Sequence, residues 1–346
     1  MRGFAQILSC SVILTVSACA HAPANRDHGY AVGARYELGG LGRWDLLAID
    51  SERHHLFLSR TDHVDIVDTN NGHLIATLAG TDGVHGIAIT PALQRGFATN
   101  GKSDSVTEFD LGTLQRVRDI KVSGHSPDAI LFDPFSRHLF VFNAHSNNAS
   151  AIDPADGTEI AVIAFPGNSE LGASDGKGHV YVNIEDKAEL VEIDATSLQV
   201  LQTWPLPGCE EPSGLAMDIA HARLFSVCQN HTMAITDANS GQQVARIAID
   251  EGPDGAVFDP DRQLIFSPNG KSGTLTVVHE DDPDHFRVIQ TLATQPSART
   301  IAIDPATHRL YLPAARFEMQ PEGSKERPPM VPGSFNVLVV RDAASR

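Results

Sequence analysis

The sequence predicts an all-β protein, a seven-bladed β-propeller that includes most of its 346 residues. Three observations indicate this fold class: a unit of about 42 residues repeats along the chain, each unit contains short alternating strands, and Asp-Pro or Gly turns separate the strands. Apolar residues make up 42% and charged residues 20% of the chain, which is typical of a folded domain. A two-domain sandwich is the alternative, but it does not explain seven matching units.

The first strand of each unit is mostly apolar and ends at an acidic residue or a threonine. In several units a proline follows at once, and Asp-Pro or Thr-Pro is typical of the first two positions of a type I turn. The last residues of the seven first strands are Asp50, Thr90, Asp133, Asp175, Asp218, Asp259 and Asp304.

The second and third strands follow in the same order in every unit. The second strand carries a pair such as Leu56-Phe57 or Leu224-Phe225, and the third has the pattern Val-x-x-Ile-Asp. A glycine four residues after the third strand supplies the positive φ of the turn to the fourth strand. The third strands end at Asp68, Asp110, Asp153, Asp194, Asp237 and His279, and Phe335–Val340 is the third strand of the last unit.

The last unit lacks a fourth strand, because the chain ends at Arg346. Residues Gly33–Gly39 precede the first unit and are expected to supply that strand, so that the ring has no exposed edge. The propeller is therefore assigned to residues 33–346, with an insertion at 316–334 between the second and third strands of the last unit. This proline-rich insertion is interpreted as a lid over the channel, a partner-binding flap or a tolerated surface insertion.

Several segments of these units are similar to one known family. They resemble the YVTN-type, YncE-like seven-bladed propellers of bacteria, and the resemblance covers nearly the whole predicted propeller. It implies the propeller fold but no particular activity. The segments are Val84–Ala88, Ser126–Ile130, Tyr181–Lys187, Glu211–Ala216, Asn269–Asp281 and Ala298–Pro305.

The first 18 residues are interpreted as a secretory signal peptide. They contain one cation, Arg2, then an apolar run and the small residues Ser17 and Ala18 before Cys19. This segment resembles a bacterial lipobox, so Cys19 is expected to carry a lipid and residues 19–32 to form a tether. The protein is then a secreted lipoprotein on the periplasmic side of the cell envelope, anchored to the outer membrane.

Charge and cysteine content narrow the possible partners. The net charge is −17 and no cluster of Lys or Arg occurs, so no nucleic-acid partner is expected. Only Cys209 and Cys228 fall within the repeats, at the same end of one predicted hairpin. In an oxidising compartment these two cysteines are expected to form a structural disulfide.

The most informative positions lie five residues before the end of each first strand. All seven are polar, although the strands that they open are mostly apolar, and in the ring they surround the mouth of the central channel. This predicts a ligand-binding site, with His85 and Asp128 as the candidate catalytic residues. The seven residues are Asp45, His85, Asp128, Glu170, Ser213, Asp254 and Arg299.

Two chemistries fit this ring. Asp45, His85, Glu170 and Asp254 are the candidate ligands for one divalent cation (Ca²⁺, Mg²⁺, Mn²⁺ or Zn²⁺). Alternatively, the carboxylates bind a cationic or hydroxylated ligand, and Arg299 orients its anionic end. Without a cation, the crowded carboxylates should have raised pKa values. A third interpretation is that strand-opening residues around any propeller channel are polar because they contact water.

Three other motifs are interpreted as structural. Asn100-Gly-Lys-Ser and Asn269-Gly-Lys-Ser resemble part of a phosphate loop but lack its spacing and its helix, so they are read as turns. His279-Glu280-Asp281 resembles a metal cluster, but its place in the repeat predicts a turn variant on the face opposite the channel mouth. Trp44 is either core or a stacking surface for a ligand.

Two hypotheses about function follow. The first is a binding or scaffold module, expected to be monomeric, that presents the channel mouth to a small ligand or a periplasmic protein and contacts the membrane only through its lipid. The second is a metal-dependent lactonase or lyase, with the ion acting as a Lewis acid at the channel mouth. Nucleophile-elbow, dinucleotide-binding and zinc-protease motifs are absent from the sequence, so whether the protein is an enzyme stays open.

Overall fold

Seven four-stranded antiparallel sheets surround a central channel and confirm the predicted propeller. The computed structural model describes residues 29–319 and 327–344. The first strands of neighbouring sheets contact one another around the ring, so they are the innermost strands. Two 3-10 helices, Pro91–Leu93 and Glu185–Lys187, complete the described secondary structure.

The strands of the first four blades are numbered in chain order from β2. Blade 1 contains β2 (Trp44–Asp50), β3 (His55–Arg60), β4 (His63–Asp68) and β5 (Leu74–Ala79). Blade 2 contains β6 (Ile87–Thr90), β7 (Arg95–Asn100), β8 (Ser105–Asp110) and β9 (Arg116–Lys121). Blade 3 contains β10 (Pro127–Phe132), β11 (Leu139–Asn143), β12 (Asn148–Asp153) and β13 (Thr158–Ala164). Blade 4 contains β14 (Ser169–Ser174), β15 (His179–Ile184), β16 (Glu189–Asp194) and β17 (Gln199–Pro205).

The last three blades follow the same order, except that blade 7 takes its outermost strand from the start of the chain. Blade 5 contains β18 (Pro212–Asp218), β19 (Arg223–Cys228), β20 (Thr232–Asp237) and β21 (Gln243–Ala248). Blade 6 contains β22 (Val257–Asp259), β23 (Leu264–Asn269), β24 (Thr274–Asp282) and β25 (His285–Ala293). Blade 7 contains β26 (Ala302–Asp304), β27 (Arg309–Ala314), β28 (Asn336–Asp342) and β1 (Tyr30–Glu37).

The hydrophobic core lies between neighbouring blades rather than at one centre. The second and third strands are buried on both faces, because each blade packs its two faces against its two neighbours. For example, Phe57 of blade 1 packs against Phe109 of blade 2 with ring centroids 5.5 Å apart. The fourth strands, such as β5 and β9, lie at the rim of the ring, and most of their side chains are exposed.

The ring is closed as predicted by a strand from the N-terminal segment. Strand β1 pairs antiparallel with β28, and it begins at Tyr30, three residues before the predicted start of the domain at residue 33. Tyr30 explains this earlier start, because its ring is buried against the edge of Phe266 and its hydroxyl accepts a hydrogen bond from Arg262. The predicted tether 19–32 therefore contributes its last residues to the sheet.

The turn chemistry matches the sequence prediction in most blades. Strands β2, β6, β18, β22 and β26 end at the predicted residues, while β10 and β14 end one residue before Asp133 and Asp175. The acidic residue accepts backbone N–H groups of the turn, as when Asp218 accepts from Ala220 at 2.9 Å. One prediction is wrong: β24 continues past His279 to Asp282, because its hairpin with β25 extends beyond the other blades through a bulge near Glu280.

Cys209 and Cys228 form the predicted disulfide, with their Cα atoms 5.4 Å apart. The signal peptide at residues 1–18, Cys19 and most of the tether lie outside the described residues. Within those residues, no helix has the length and apolar character needed to cross a membrane.

Candidate functional site

The channel mouth contains a cavity of about 710 Å³. The predicted residues Asp45, His85, Asp128, Asp254 and Arg299 line it. The other two predicted residues do not line this cavity. Ser213 is buried and donates its hydroxyl to the Pro253 carbonyl at 3.3 Å, whereas Glu170 is half-buried nearby.

The ring residues face the channel because the inner strands are irregular where they begin. The pairing of β2, β10, β14 and β18 with the next strand shifts register at the second and third residues of each strand. These β-bulges leave Asp45, Asp128 and Glu170 outside the regular ladder, which redirects their side chains. In blades 2, 6 and 7 the first strand begins later, and the ring residue precedes it.

A chain of charged contacts joins blades 6, 7, 1, 2 and 3. The Arg299 guanidinium lies 2.6 Å from an Asp254 oxygen and donates a hydrogen bond to Asp45 at 3.2 Å. Asp45 also contacts His85 Nδ1 at 2.6 Å, and the same nitrogen lies 3.5 Å from Asp128. Arg299 therefore pairs with two carboxylates of the ring, so that its charge is shared between them.

The carboxyl groups differ according to their contacts. Burial alone would raise the pKa of Asp45, but His85 and Arg299 together hold it below its usual range. Burial raises the pKa of Asp254 to about 6 despite Arg299, and that of Asp128 to about 7 despite His85. The hydrogen bond with Asp45 raises the pKa of His85 against the effect of burial. Some carboxyl pKa values are thus raised as expected, but burial is the largest cause and the neighbouring carboxylates add to it.

Glu170 has the largest shift among these carboxyl groups. Burial and then the nearby charges of Asp128, Glu185, Asp254 and Asp45 raise its pKa to about 9. Glu170 is consequently protonated at neutral pH, and it offers the channel a neutral hydrogen-bond donor rather than a charge.

The structure brings together a metal-compatible group that differs from the predicted one. Ligand atoms of Asp45, His85 and Asp128 all lie within 4.8 Å of one another, but Glu170 and Asp254 are outside this group. The predicted set of Asp45, His85, Glu170 and Asp254 is thus brought together only in part. The donors are suitable for a divalent ion, although Asp45 is hydrogen-bonded to both His85 and Arg299.

The cavity is also lined by cations that the sequence reasoning did not assign to the site. Arg43, Lys102, Lys271 and Arg327 line it, and we call these four residues the basic rim. Lys102 makes no ion pair with a described residue, and burial followed by the charges of Arg327 and Arg299 lowers the pKa of Arg43. The available signal was the Asn-Gly-Lys-Ser turn repeated in units 2 and 6, because each turn places its lysine at the same end of the ring.

The insertion of blade 7 forms a wall of this cavity. The backbone of Phe317 forms an isolated antiparallel β-bridge with Met330, and the ring of Phe317 lies 5.9 Å from that of Trp44. Arg43 donates to the Pro328 carbonyl at 2.6 Å. Trp44 is 6% exposed and also packs on Phe335, so it is mainly a core residue. Residues 320–326 of the insertion lie outside the described part of the chain.

Comparisons with known proteins support the fold. No family model matches the chain, and no curated protein matches it in sequence. Among solved structures it is similar to "Kuenenia stuttgartiensis Hydrazine Synthase", with 18% identity and a TM-score of 0.68 over 82% of this chain and 96% of that one. It is also similar to the WD40 repeats of RRP9, with 8% identity and a TM-score of 0.75 over 89% and 97% of the two chains. The same holds for U3-55K, with 8% identity and a TM-score of 0.73 over 88% and 97%. At these identities the likeness shows the propeller fold alone.

Proposed function

We propose that this protein is a binding module that holds a small anionic ligand in the cavity at the channel mouth. The observation that supports this proposal is the basic rim beside the cavity. Its four cations line one cavity in a chain whose net charge is −17, and Arg43 lies near enough to Arg327 and Arg299 for their charges to lower its pKa. Lys271 also pairs with Glu251 at 3.8 Å. Clustered like charges repel one another, and an anion placed among them relieves that repulsion.

His85 and Asp128 also line the cavity, and we call these two residues its floor. They suggest which other groups the ligand carries. Asp128 and His85 present an acceptor and a titratable ring, and their side chains are 29% and 40% exposed. These groups suit hydroxyl or amine groups, which exchange hydrogen bonds with carboxylate and imidazole. We therefore expect a small hydroxylated or amine-bearing acid, with its anionic group at the basic rim and its polar groups on the floor.

The test is a binding screen with matched charge variants. Sugar acids, dicarboxylates, amino acids and organic phosphates are added to the purified chain, and thermal stabilisation and calorimetric titration are measured. Lys102→Ala combined with Lys271→Ala should weaken binding of a hit at least about tenfold, since each charged contact contributes about 1 kcal/mol or more. Lys177→Ala removes one exposed cation from the opposite face and should leave binding unchanged. Equal binding by all variants would refute the proposed site.

A second candidate function is a metal-dependent lactonase or lyase at the same mouth. The close grouping of Asp45, His85 and Asp128 favours it. In that case the three residues would bind the ion, which would act as a Lewis acid, and His85 or Asp128 would also be the candidate base. Elemental analysis of the chain purified without chelator tests it. About one divalent ion per chain, lost in Asp128→Asn, would support the enzyme, whereas a metal content that Asp128→Asn leaves unchanged would refute it.

The cellular setting is part of the proposal. We place the protein on the periplasmic side of the envelope as a monomeric, outer-membrane-anchored lipoprotein of the YVTN-type, YncE-like kind, because of the lipobox-like segment before Cys19 and the repeat segments described above. Metabolic labelling with a fatty acid should modify the wild-type protein but not Cys19→Ser. If no small ligand binds, capture of an envelope protein by the wild type but not by the double lysine variant would indicate a protein partner instead.

A further inference from the structure

A second group of ionisable side chains lies at the end of the ring opposite the channel mouth. Asp218 ends the inner strand β18 of blade 5, and His221 lies in the turn that follows. Glu280 comes from β24 of the neighbouring blade 6. Ligand atoms of the three side chains lie within 4.8 Å of one another. Since the residues come from two blades, only the packing of blade 5 on blade 6 brings them together.

Glu280 is the unusual member of this group. Its side chain is 0% exposed, and neither carboxylate oxygen has a hydrogen-bond partner among the described residues. Its Oε1 atom is directed at the group, 3.6 Å from His221 Nδ1. A buried carboxylate without a partner is strongly unfavourable, so this side chain requires either a proton or a cation.

The other blades show that the carboxylate is not required by the fold. The backbone N–H of Glu280 donates to the carbonyl of Gln263, the residue before the second strand of blade 6. The equivalent residues of four other blades make the same contact, and these are Thr69, Leu111, Ala195 and Ala238. All four residues are buried and uncharged. A neutral side chain therefore fills this position elsewhere in the ring, and blade 6 alone among these five places a charge-bearing group there.

The neighbouring cation, Arg223, compensates Glu280 only in part. Arg223 lies beside the group, but its guanidinium donates to the Pro283 carbonyl at 2.7 Å and pairs with Asp284 at 3.1 Å and Asp237 at 3.5 Å. The second carboxylate, Asp218, adds a like charge. Burial and then the charge of Asp218 raise the pKa of Glu280 to about 7, although the charges of His221 and Arg223 lower it.

We propose that Asp218, His221 and Glu280 bind one divalent transition-metal ion, with Zn²⁺ and Mn²⁺ as the suitable class. Two carboxylate oxygens and one imidazole nitrogen are the donors that these ions accept. Metal–ligand bonds of about 2.0–2.2 Å place ligand atoms about 3.3 Å apart, close to the His221–Glu280 separation. The contact between His221 and Asp218, at 2.5 Å, has to open by about 1 Å.

Two further contacts suit a metal site. Asp218 uses one oxygen to accept from the Ala220 backbone at 2.9 Å, which orients the other oxygen toward the group. The His221 side chain is 37% exposed, so an ion can enter from solvent and keep water as a remaining ligand. Other Asp–His pairs on this face, such as Asp175 with His179, lack a buried unpartnered carboxylate and are ordinary turn contacts.

The ion would link blades 5 and 6, which are two separate hydrogen-bonded sheets. Binding to the folded state alone should raise the melting temperature in proportion to the logarithm of ion concentration. The proposal is independent of the ligand at the channel mouth, because the two groups lie at opposite ends of the inner strands.

The test uses the purified chain, prepared without chelator or nickel resin and then treated with chelator. Zn²⁺ and Mn²⁺ are titrated by calorimetry, Co²⁺ by its visible absorption, and thermal unfolding is measured with and without each ion. The test variant is His221→Ala, which removes a partly exposed ligand and leaves the core intact, and Glu280→Gln is the second variant. His179→Ala is the matched control, since His179 forms the same kind of pair with Asp175 within blade 4 and its side chain is equally exposed, at 38%. Asp128→Asn is the control for the channel mouth.

We expect one ion per wild-type chain and a higher melting temperature with ion. Because loss of a residue that merely supports a ligand weakens binding 10- to 100-fold, His221→Ala should weaken it at least about 100-fold, while both controls retain it. Two results would overturn the assignment. One is that the wild type binds no ion and shows no shift in melting temperature. The other is that His221→Ala binds as tightly as the wild type. If Glu280→Gln is more stable than the chelator-treated wild type and no ion stabilises the wild type, Glu280 carries a proton instead.

Discussion

Replacing Glu170 with Gln should stabilise the protein at alkaline pH and have little effect in acid. Gln has the shape of the protonated Glu that the channel mouth favours. The pKa of Glu170 is raised from 4.5 to about 9, so the folded state keeps a proton that the unfolded state releases. The free energy of unfolding of the wild type therefore falls as pH rises between these two values, whereas the variant has no such dependence at this position.

The magnitude follows from the pKa shift. Each pH unit above the unfolded pKa costs the wild type about 1.4 kcal/mol, so full burial would give about 3 kcal/mol at pH 7. Glu170 is half-buried, and screening by solvent reduces the expected gain to about 1–2 kcal/mol. At pH 4 the two proteins should differ by less than about 0.5 kcal/mol.

The assay is denaturant unfolding of wild type and variant at pH values from 4 to 9, with the difference plotted against pH. Glu52→Gln, an exposed carboxyl in a turn on the opposite face, is the control and should show no rising difference. A Glu170→Gln difference that is constant with pH, or that favours the wild type at pH 8, would refute the electrostatic account of the channel mouth.

Two further predictions concern stability. Replacing both Cys209 and Cys228 with Ser opens a loop whose ends are 19 residues apart and should cost about 3 kcal/mol in denaturant unfolding; a loss below about 1 kcal/mol would show that the loop is already restrained without the bond. Tyr30→Ala removes a buried ring that packs on Phe266 and bonds Arg262, so it should cost about 3–5 kcal/mol in the same assay. A smaller loss than about 1 kcal/mol would mean that β1 covers the ring without stabilising its closure.

The sequence predicted the fold well because the signals that define a blade are local. Strand alternation, the Asp that ends each first strand and the Gly of the next turn all act within a few residues. The same local reasoning was wrong for His279, where the strand continues because β25 extends beside it. Pairing between strands of unequal length depends on both partners, so a single unit could not reveal it.

The candidate site was predicted in its composition but not in its chemistry. The repeat register placed Asp45, His85, Asp128, Asp254 and Arg299 at one mouth, and the structure confirms that they line one cavity. The repeat register could not show that Arg299 pairs with two carboxylates, because those ion pairs depend on distances of a few ångströms between blades.

Two features came only from the tertiary structure. Lys102 and Lys271 lay in motifs interpreted as turns, and the basic rim becomes visible only when blades 2 and 6 face the same cavity. Glu280 was read with its neighbours in sequence, whereas its neighbours in space, Asp218 and His221, are about sixty residues earlier in the chain.

The sequence by itself determined the number of blades, the order of strands, the closure of the ring and the disulfide. Each of these follows from periodic patterning, in which every position repeats its local environment. The tertiary structure alone decided which charges meet, which are neutralised and which carboxyl groups keep their protons. The reason is physical: electrostatic energy depends on separation and burial, and both are set by the packing of blades that are distant in sequence.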